Sequence, residues 1–359
     1  PDVREDLARR DFTINAMAYN DKEGLIDPFG GQNDLQDGIV RAVGMPHRRF
    51  EEDALRILRL YRFAARYSFA IDPATAQAAE ELCAHLDCVS AERIEEEFSK
   101  LLATPKPGAY LDEKVMQVIL PELTPEALAQ AKPIVDACPA GAENLPVRLA
   151  ALLVSLGEAG TRKVLKRLRC SNACIDETAV LVREWWSGVP ATFSSDTNTG
   201  CGSQHSLRAV DGTCVSLLLQ AIPSPALPPA AAGSHPSGQS SEKLPARPSE
   251  NFRVYTCQLL GKYDLKTVQR LAALGTAMQP ERSADFEVLS KLAEKLEADG
   301  VCCRLSQLAV NGRDLMAAGI PAGAGLRKAL EALLDGVIRW EYPNERQALL
   351  EAAQGFSAS

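Results

Sequence analysis

The feature that most constrains the fold of this chain is a helical hydrophobic period that begins near Phe50 and continues to the end of the sequence with one long break. Apolar residues recur every three or four positions, as in Leu55, Leu58 and Phe63. A period of 3.6 residues places such side chains on one face of an α-helix, which must be buried against other helices. We therefore predict a mostly α fold with helices in 74–87, 90–103, 125–138, 145–156, 160–168, 174–186, 264–277, 285–298 and 324–338.

The first 46 residues have a mixed character. Residues 11–20 have helix-like spacing of apolar side chains, whereas 24–31 reads as a short strand that ends at Pro and Gly turn signals. Residues 38–43 form a second short apolar run of β type. A small α/β part is therefore expected ahead of the helices.

The break in the helical pattern begins at Ser187. Residues 187–250 are rich in Ser, Gly, Thr, Ala and Pro, and 222–250 alone contains seven prolines. Such a composition buries too little apolar surface to offset the entropy of ordering the chain. We predict disorder over 187–250, apart from a short apolar helix at 214–222.

Charge and composition exclude some functions. The formal net charge is −8, which excludes a histone-like polycation but leaves room for a local basic surface that binds nucleic acid. The sequence holds no apolar run of the roughly 18 residues that a membrane span requires, so no membrane partner is expected. Its ten cysteines form no C-x-x-C pair, which indicates reduced thiols, a cytoplasmic location and no cysteine metal site.

The first polar stretch of interest is 9–18. Its adjacent Arg9 and Arg10, with Asn15 on the following turn, could converge on a phosphate or a ribose, because guanidinium groups donate in pairs and helix N-termini favour anions. The alternative is a solvated basic turn in which Asp11 only caps a helix.

The second stretch is 51–66. On a helix, Asp53 and Arg56 are neighbours at i and i+3, and Arg56, Arg59, Arg62 and Arg66 lie opposite the apolar face. The alternative is an amphipathic helix with a solvated charged stripe and one ion pair.

Side by side, Asp53 and Arg56 present a hydrogen-bond acceptor next to donors. Cytosine and adenine present the complementary pattern on their Watson–Crick edge, an amino donor beside a ring-nitrogen acceptor. Uracil and guanine present a carbonyl acceptor beside an N–H donor, so they oppose the pair and leave polar groups unpaired at a cost of about 1–3 kcal/mol each. Such a pair would select CTP and ATP without a template.

These stretches resemble motifs of the bacterial tRNA nucleotidyltransferases, the CCA-adding enzymes. Residues 9–18 are similar to the second conserved motif of that family, and 52–56 are similar to its base-selecting motif. The likeness covers 1–187 and 251–359. Further similar segments are 25–31 with Asp34, Leu35, Gly38 and Ile39 between those motifs, 90–94 with Glu97 and Lys100 after them, and 308–316 and 343–346 in the tail.

The resemblance implies a role for each matching residue. Asp53 and Arg56 match the pair that selects the nucleobase. The positions that hold the sugar and phosphates of the nucleotide are matched by Arg9, Arg10, Asn15 and Arg59, and structural roles are implied for Asp27, Glu92 and Arg93.

The implied architecture is the C-terminal part of an α/β nucleotidyltransferase head, followed by an all-helical neck, body and tail. The implied partners are tRNA, held by body and tail, with CTP and ATP as substrates and Mg²⁺ as cofactor. The predicted parts are 1–46 head, 47–104 neck with the base-selecting helix, 105–186 body, 187–250 low-complexity insertion, and 251–359 end of the body and tRNA-binding tail.

One departure from the family concerns the metal. The family holds two ions on an Asp-x-Asp strand after a Gly-rich loop, upstream of the Arg-Arg-Asp motif. This chain has no Asp-x-Asp, only eight residues precede Arg9, and 21–23 and 285–287 share the spacing without the strand or the loop. We therefore expect an N-terminally truncated enzyme whose catalytic carboxylates lie upstream of Pro1, with no metal ligands in this chain and no activity by itself.

Two other functions stay open at this point. Bacterial poly(A) polymerases share the Arg-Arg-Asp motif, and enzymes that add only CC or only A differ in the upstream loop. A non-catalytic helical module is the second alternative, in which the basic cluster 162–169 would contact tRNA phosphates. The sequence leaves open whether 187–250 is a natural insertion, and it predicts no oligomeric state.

Overall fold

A computed structural model of the chain describes residues 2–190 and 249–355. Residues 191–248 lie outside the described residues. They include the whole of the predicted helix at 214–222 and most of the segment 187–250 that was predicted to be disordered. The helices are α1 Val3–Ala8, α2 Gly31–Asp37, α3 Pro46–Glu52, α4 Leu55–Tyr67, α5 Pro73–Leu82, α6 Ala91–Leu102, α7 Glu113–Ile119, α8 Pro125–Ala137, α9 Leu145–Leu153, α10 Gly157–Arg167, α11 Asn172–Ser187, α12 Glu250–Lys262, α13 Leu265–Met278, α14 Ser283–Ala298, α15 Gly312–Ala317, α16 Ala324–Ile338 and α17 Arg346–Gln354.

Four short strands accompany the first helices. Strand β1 (Ala18–Asn20) is antiparallel to β2 (Gly24–Ile26), with Tyr19 opposite Leu25. Strand β3 (Ile39–Val40) is parallel to β4 (Ala70–Ile71), so the connection between them passes through α3 and α4. This pairing joins the first forty residues to the helices that follow.

The predicted helix over 11–20 is wrong. The segment instead forms a bridge at Phe12, a 3-10 turn over Thr13–Asn15 and then β1. The backbone N–H of Thr13 donates to Arg41 O at 2.9 Å, and Phe12 pairs with Ala42. Pairing with a distant segment therefore replaces the local helical bonds, although the apolar side chains are buried as the spacing suggested.

The prediction of a mostly helical chain is confirmed. Each of the nine periodic segments corresponds to a helix whose ends lie within a few residues of the predicted bounds. Sequence periodicity missed six short helices of the described residues, because six to nine residues hold too few turns to show a period; they are α1, α2, α3, α7, α15 and α17. Most of the core is one apolar cluster that runs from Phe12 to the helices α13 and α14.

A fully buried arginine ties together the loops that follow α6 and α8. Arg148 on α9 donates to the backbone carbonyls of Leu102 and Thr104, to Pro105 O at 3.1 Å and to Cys138 O at 3.0 Å. Burial raises the pKa of the neighbouring Cys138 thiol to about 12, so this thiol is neutral beside the guanidinium. The buried charge is thus satisfied by carbonyl dipoles rather than by a carboxylate.

The C-terminal helices α15, α16 and α17 enclose a second apolar cluster that includes Leu315, Leu333 and Leu349. This cluster is separate from the main core, and Leu334 on α16 packs against both of them. No helix within 2–190 or 249–355 combines the length and the apolar character that a membrane crossing needs.

Candidate functional site

An open cleft of about 550 Å³ lies between the first residues of the chain and the helices α4 and α6. It is strongly polar, and arginine side chains dominate its walls. Seven of the nine residues singled out in the sequence line it, and Asp27 and Glu92 do not. The lining residues are Arg9, Arg10, Asp11, Asn15, Asp53, Leu55, Arg56, Arg59, Phe63 and Arg93.

Arg9 and Arg10 lie at the end of a helix rather than at its start. Helix α1 ends at Ala8, and Arg9 caps its C-terminus. Arg10 forms an exposed ion pair with Asp6 at 3.1 Å, whereas the Arg9 side chain has no hydrogen-bond or ion-pair partner in the described part of the chain. The helix dipole invoked from the sequence is therefore not available here, and the two guanidinium groups are the anion-binding groups.

The carboxylate of Asp11 orients two other side chains that line the cleft. Its Oδ2 accepts from Nε and Nη2 of Arg59 at 2.8 and 2.6 Å. Its Oδ1 accepts from the backbone N–H of Phe12 at 2.9 Å and from Nδ2 of Asn15 at 3.3 Å. Arg59 and Asn15, both matched to sugar and phosphate positions, are thus oriented by one buried carboxylate.

Asp53 lies between two helices rather than inside one. Helix α3 ends at Glu52, Asp53 has extended backbone angles (φ −156°, ψ 102°), and α4 begins at Leu55. Oδ1 of Asp53 accepts from Leu55 N at 3.1 Å, and Oδ2 accepts from Arg93 Nη2 at 2.9 Å. The prediction that Asp53 and Arg56 are neighbours at i and i+3 within one helix is therefore wrong. Asp53 precedes α4, and its carboxylate accepts from a backbone N–H that is free at the start of that helix.

Arg56 nevertheless stands beside Asp53 in the cleft. Its Nη1 donates to Arg49 O at 3.2 Å and to Glu52 Oε2 at 3.0 Å, and its Nη2 donates to Arg9 O at 3.1 Å. These bonds orient the guanidinium from α3 and from the Arg-Arg turn. The cleft therefore carries a carboxylate acceptor and a guanidinium donor on two residues that are joined by the backbone bond from Arg56 N to Asp53 O at 3.1 Å.

Glu97 on α6 was not among the predicted site residues. It is buried and accepts from Arg62 Nε at 2.6 Å, while Arg59 Nη1 lies 3.5 Å from its other oxygen. Arg62, placed by the sequence opposite the apolar face of its helix, is buried and lies over the Phe63 ring at 4.1 Å, which contradicts the alternative of a solvated stripe at this position. The sequence could have indicated that Glu97 is buried, because its position in the helical period places it with Ile94 and Phe98 on the apolar face of α6.

Asp27 and Glu92 lie outside the cleft. Asp27 caps α2, where its two oxygens accept from Gly31 N at 2.8 Å and Gln32 N at 2.9 Å. Gly31 packs so closely on Thr13 that a Cβ atom would clash with its carbonyl, so the cap positions the turn that carries Asn15. Glu92 is exposed and lies 3.8 Å from Arg169.

The basic cluster 162–169 is partly neutralised. Arg162 pairs with Glu158 and Asp176, and Arg167 pairs with Glu122. Lys163 and Lys166 have no ion-pair partner among the residues described. Only part of this face is therefore available to an external anion.

The carboxylates of the cleft do not fit a magnesium ion. Asp11 and Asp53 are both held by arginines, and no group of three or more His, Cys, Asp or Glu side chains with metal-binding geometry occurs within 2–190 and 249–355. Of the two segments with Asp-x-Asp-like spacing, the one in α14 is also occupied by ion pairs, Asp285 with Arg282 and Glu287 with Lys291.

Three family profiles match the chain. They are described as "Poly A polymerase head domain" over residues 2–41, "Probable RNA and SrmB- binding site of polymerase A" over 68–127, and "tRNA nucleotidyltransferase domain 2 putative" over 243–353.

A curated relative from Limosilactobacillus fermentum, named CCA-adding enzyme, is 30% identical over 357 residues, which is 98% of this chain and 72% of that protein. Other curated relatives of the same name are 41–48% identical over 111 to 152 residues, and there the chain spans only 28–34% of the relative's length.

Two solved structures have a similar fold. One is the Bacillus stearothermophilus CCA-adding enzyme in complex with CTP, with a TM-score of 0.69 and 24% identity over 99% of this chain and 75% of that one. The other is the Thermotoga maritima CCA-adding enzyme complexed with tRNA, with a TM-score of 0.59 and 20% identity over 99% and 74%.

Proposed function

We propose, because the chain belongs to the family of CCA-adding enzymes, that its cleft binds CTP and ATP and that the chain takes part in the template-independent addition of CCA to the 3′ end of tRNA. The observation that carries this proposal is the juxtaposition of Asp53 and Arg56 in a cleft lined by arginines. The proposed protein is thus a soluble transferase that binds nucleotide and RNA. Its proposed location is the cytoplasm, because the free thiols of the eight described cysteines suit a reducing compartment.

Asp53 and Arg56 are the proposed base readers. Oδ2 of Asp53 keeps a lone pair beside Arg93 for the amino group of cytosine or adenine, and Arg56 donates to the ring nitrogen. Uracil and guanine would set a carbonyl against the carboxylate and an N–H against the guanidinium. Selection then arises from unpaired polar groups rather than from the size of the base.

Arg9 and Arg10 are the proposed phosphate ligands. Both are exposed at the cleft, and Arg9 has no competing partner within 2–190 and 249–355. Asn15 and Arg59 would contact the sugar and phosphates from the wall that Asp11 organises. Asp27, Glu92 and Arg93 act structurally in this proposal, and Arg93 does so by orienting the base-reading carboxylate.

The proposed RNA partner is tRNA. The Thermotoga maritima structure of similar fold is a complex with tRNA, and the family profile that matches 243–353 is described as "tRNA nucleotidyltransferase domain 2 putative". The body and the tail would hold the acceptor stem and the elbow, with Lys163 and Lys166 among the cations available to phosphates.

Nucleotide binding by the 359-residue chain tests the proposal. We expect titration calorimetry to give tighter binding of CTP and ATP than of UTP and GTP, by at least about tenfold. Asp53→Ala should abolish that preference, whereas the control Asp87→Ala, an exposed acid outside the cleft, should keep it. Equal affinity for all four nucleotides would contradict the assignment of the reading pair.

Incubation with tRNA that lacks CCA, together with CTP, ATP and Mg²⁺, tests turnover. We expect no incorporation by this chain alone, because two-metal transfer needs free carboxylates and those described at the cleft are bound by arginines. Incorporated label would overturn this expectation. Poly(A) polymerase activity, which two of the matched descriptions name, predicts instead that ATP binds and CTP does not.

A further inference from the structure

The face of α4 that lines the cleft continues beyond it. Arg56, Arg59 and Phe63 point into the cleft, and residues spaced by three or four positions lie on one side of a helix. The next positions in this series are Arg66 and Tyr67, which end the helix and are both exposed. A stripe of arginines and aromatic rings therefore leads out of the cleft to the surface.

Tyr67 is an exposed ring in a fixed position. It is 45% exposed, whereas Phe63 one turn earlier is only 9% exposed. The two rings are nearly parallel, with 7° between their planes and 6.3 Å between centroids, and the centroid of the Phe69 ring lies 5.5 Å from that of Tyr67 with the planes tilted by 39°. The Tyr67 hydroxyl has no partner among residues 2–190 and 249–355. A ring held in this way loses little entropy when a ligand stacks on it.

Arg66 differs from the other arginines of α4. Arg56, Arg59 and Arg62 are each bound by a carboxylate, namely Glu52, Asp11 and Glu97. Arg66 makes no hydrogen bond or ion pair with the described part of the chain, and its guanidinium lies 5.7 Å from the centre of the Tyr67 ring. Its charge is therefore available to an external anion.

An exposed aromatic ring beside an unpaired arginine has the chemistry of a site for single-stranded nucleic acid, where bases stack on rings and cations contact phosphates. We infer that Arg66 and Tyr67 form a platform for the unpaired 3′ end of an RNA, with a base on Tyr67 and a phosphate on Arg66. This inference rests on the proposed function, since that function brings an RNA 3′ end to the cleft.

The length of α4 indicates which base reaches the platform. Arg56 and Tyr67 are eleven residues apart, which is about 16 Å along a helix axis. Stacked nucleotides repeat about every 3.4 Å along a strand, so roughly five of them cover this distance, and fewer do if the strand is extended. The base on Tyr67 is thus a few nucleotides back from the base at Asp53 and Arg56.

RNA hairpins with 3′ tails of zero to six unpaired nucleotides test the inference, with affinity for the 359-residue chain measured by fluorescence anisotropy in the presence of CTP. For the unaltered chain, affinity should rise as the tail reaches the platform. Tyr67→Ala should weaken binding of the long-tailed RNA by roughly ten- to a hundredfold and leave the blunt hairpin almost unchanged. Tyr67→Phe should bind like the unaltered chain, because it keeps the ring.

Two further variants sharpen the test. Tyr19→Ala is the matched control, because Tyr19 is also an exposed tyrosine, 71% exposed on β1, and it does not line the cleft. Arg66→Gln should lower the salt dependence of binding by about 0.7 in the slope of log affinity against log salt, the effect of one lost phosphate contact on a single strand.

The inference is overturned if Tyr67→Ala binds the long-tailed RNA as tightly as the unaltered chain does, or if it weakens binding of the blunt hairpin equally. It is also overturned if sedimentation shows that Tyr67→Ala acts by changing the self-association of the chain. The CTP titration of the same samples separates this result from the proposed function. CTP preference with no dependence on tail length would reject the platform alone, whereas failure of the unaltered chain to bind any RNA would reject both.

Discussion

At the scale of single residues, the cleft depends on acids that neutralise some arginines and leave others free. Asp11 binds Arg59 and Asn15, and Glu97 binds Arg62. Because those side chains are occupied, Arg9 and Arg66 are the arginines of the cleft and of α4 whose guanidinium groups have no polar partner in the described part of the chain, and Arg10 has only its exposed pair with Asp6. Selectivity for anions thus follows from which arginines lack a carboxylate.

Asp11→Asn should lower the free energy of unfolding by about 2 kcal/mol, because it removes the closer of the two carboxylates that neutralise the half-buried Arg59 and leaves only the longer contact with Glu97. It should also weaken CTP binding, since Arg59 and Asn15 lose their common acceptor. Urea denaturation and calorimetry measure the two effects. Asp6→Asn, which removes the exposed pair with Arg10, is the control and should cost less than about 0.5 kcal/mol. Equal losses in the two variants would contradict the role of Asp11.

At the scale of elements, the helices of the body pack through close contacts as well as apolar faces. Helix α13 packs against α9, α11 and α14. Gly275 on α13 faces the ring of Phe286 on α14, where a Cβ atom would overlap the ring. The absence of a side chain therefore sets the distance between these two helices, and a helix-propensity argument alone would misjudge this glycine.

Gly275→Ala should lower the free energy of unfolding by about 1–3 kcal/mol, because overpacking against Phe286 exceeds the gain of roughly 1 kcal/mol in helix propensity. Gly325→Ala in α16 is the matched control, since no described atom outside its own turn lies within 4 Å of the position that the new methyl group would take. This variant should be neutral or slightly more stable. Thermal unfolding of both proteins tests the difference, and stabilisation by Gly275→Ala would show that the helices separate freely.

At the scale of the whole molecule, arginine contacts join the C-terminal helices α15 to α17 to the rest of the chain, together with apolar contacts from α16. Arg253 on α12 donates to Ile338 O at the end of α16, and its guanidinium lies 3.6 Å from the centre of the Trp340 ring. Trp340 has a positive φ of 60°, a backbone conformation that favours glycine. Arg304 adds a bond to Leu260 O at 2.9 Å. These arginine contacts add to the apolar contacts that Ile338 and Leu334 of α16 make with the main core.

Arg253→Met should release the tail more readily, because the carbonyl of Ile338 and the face of Trp340 lose their partner. Limited proteolysis should then cleave between α14 and α15 several times faster than in the unaltered chain, while the fragment that contains α4 stays intact. Arg327→Met, which removes an exposed pair with Glu331, is the control and should not change the rate. An unchanged rate for Arg253→Met would mean that apolar contacts alone hold the tail.

Local patterns predicted much of the fold and the composition of the cleft. The helical period located the long helices to within a few residues, and the order of the short motifs indicated the family and seven of the residues in the cleft. Both patterns are local in the sequence. The helical period repeats among the residues of a single helix, and each motif spans about ten consecutive positions. Short elements such as α7 and β1 gave no such signal.

The sequence by itself determined that this chain is mostly helical and that acidic and basic side chains suited to a nucleotide occur at 9–15 and 53–59. Only the tertiary structure decided that Asp53 lies between two helices, that Arg59 turns to Asp11, and that Arg93 arrives from α6. The physical reason is that a charged side chain takes its partner from whichever segment packs against it. Here the partners are 40 and 48 positions apart, a distance at which periodicity carries no information.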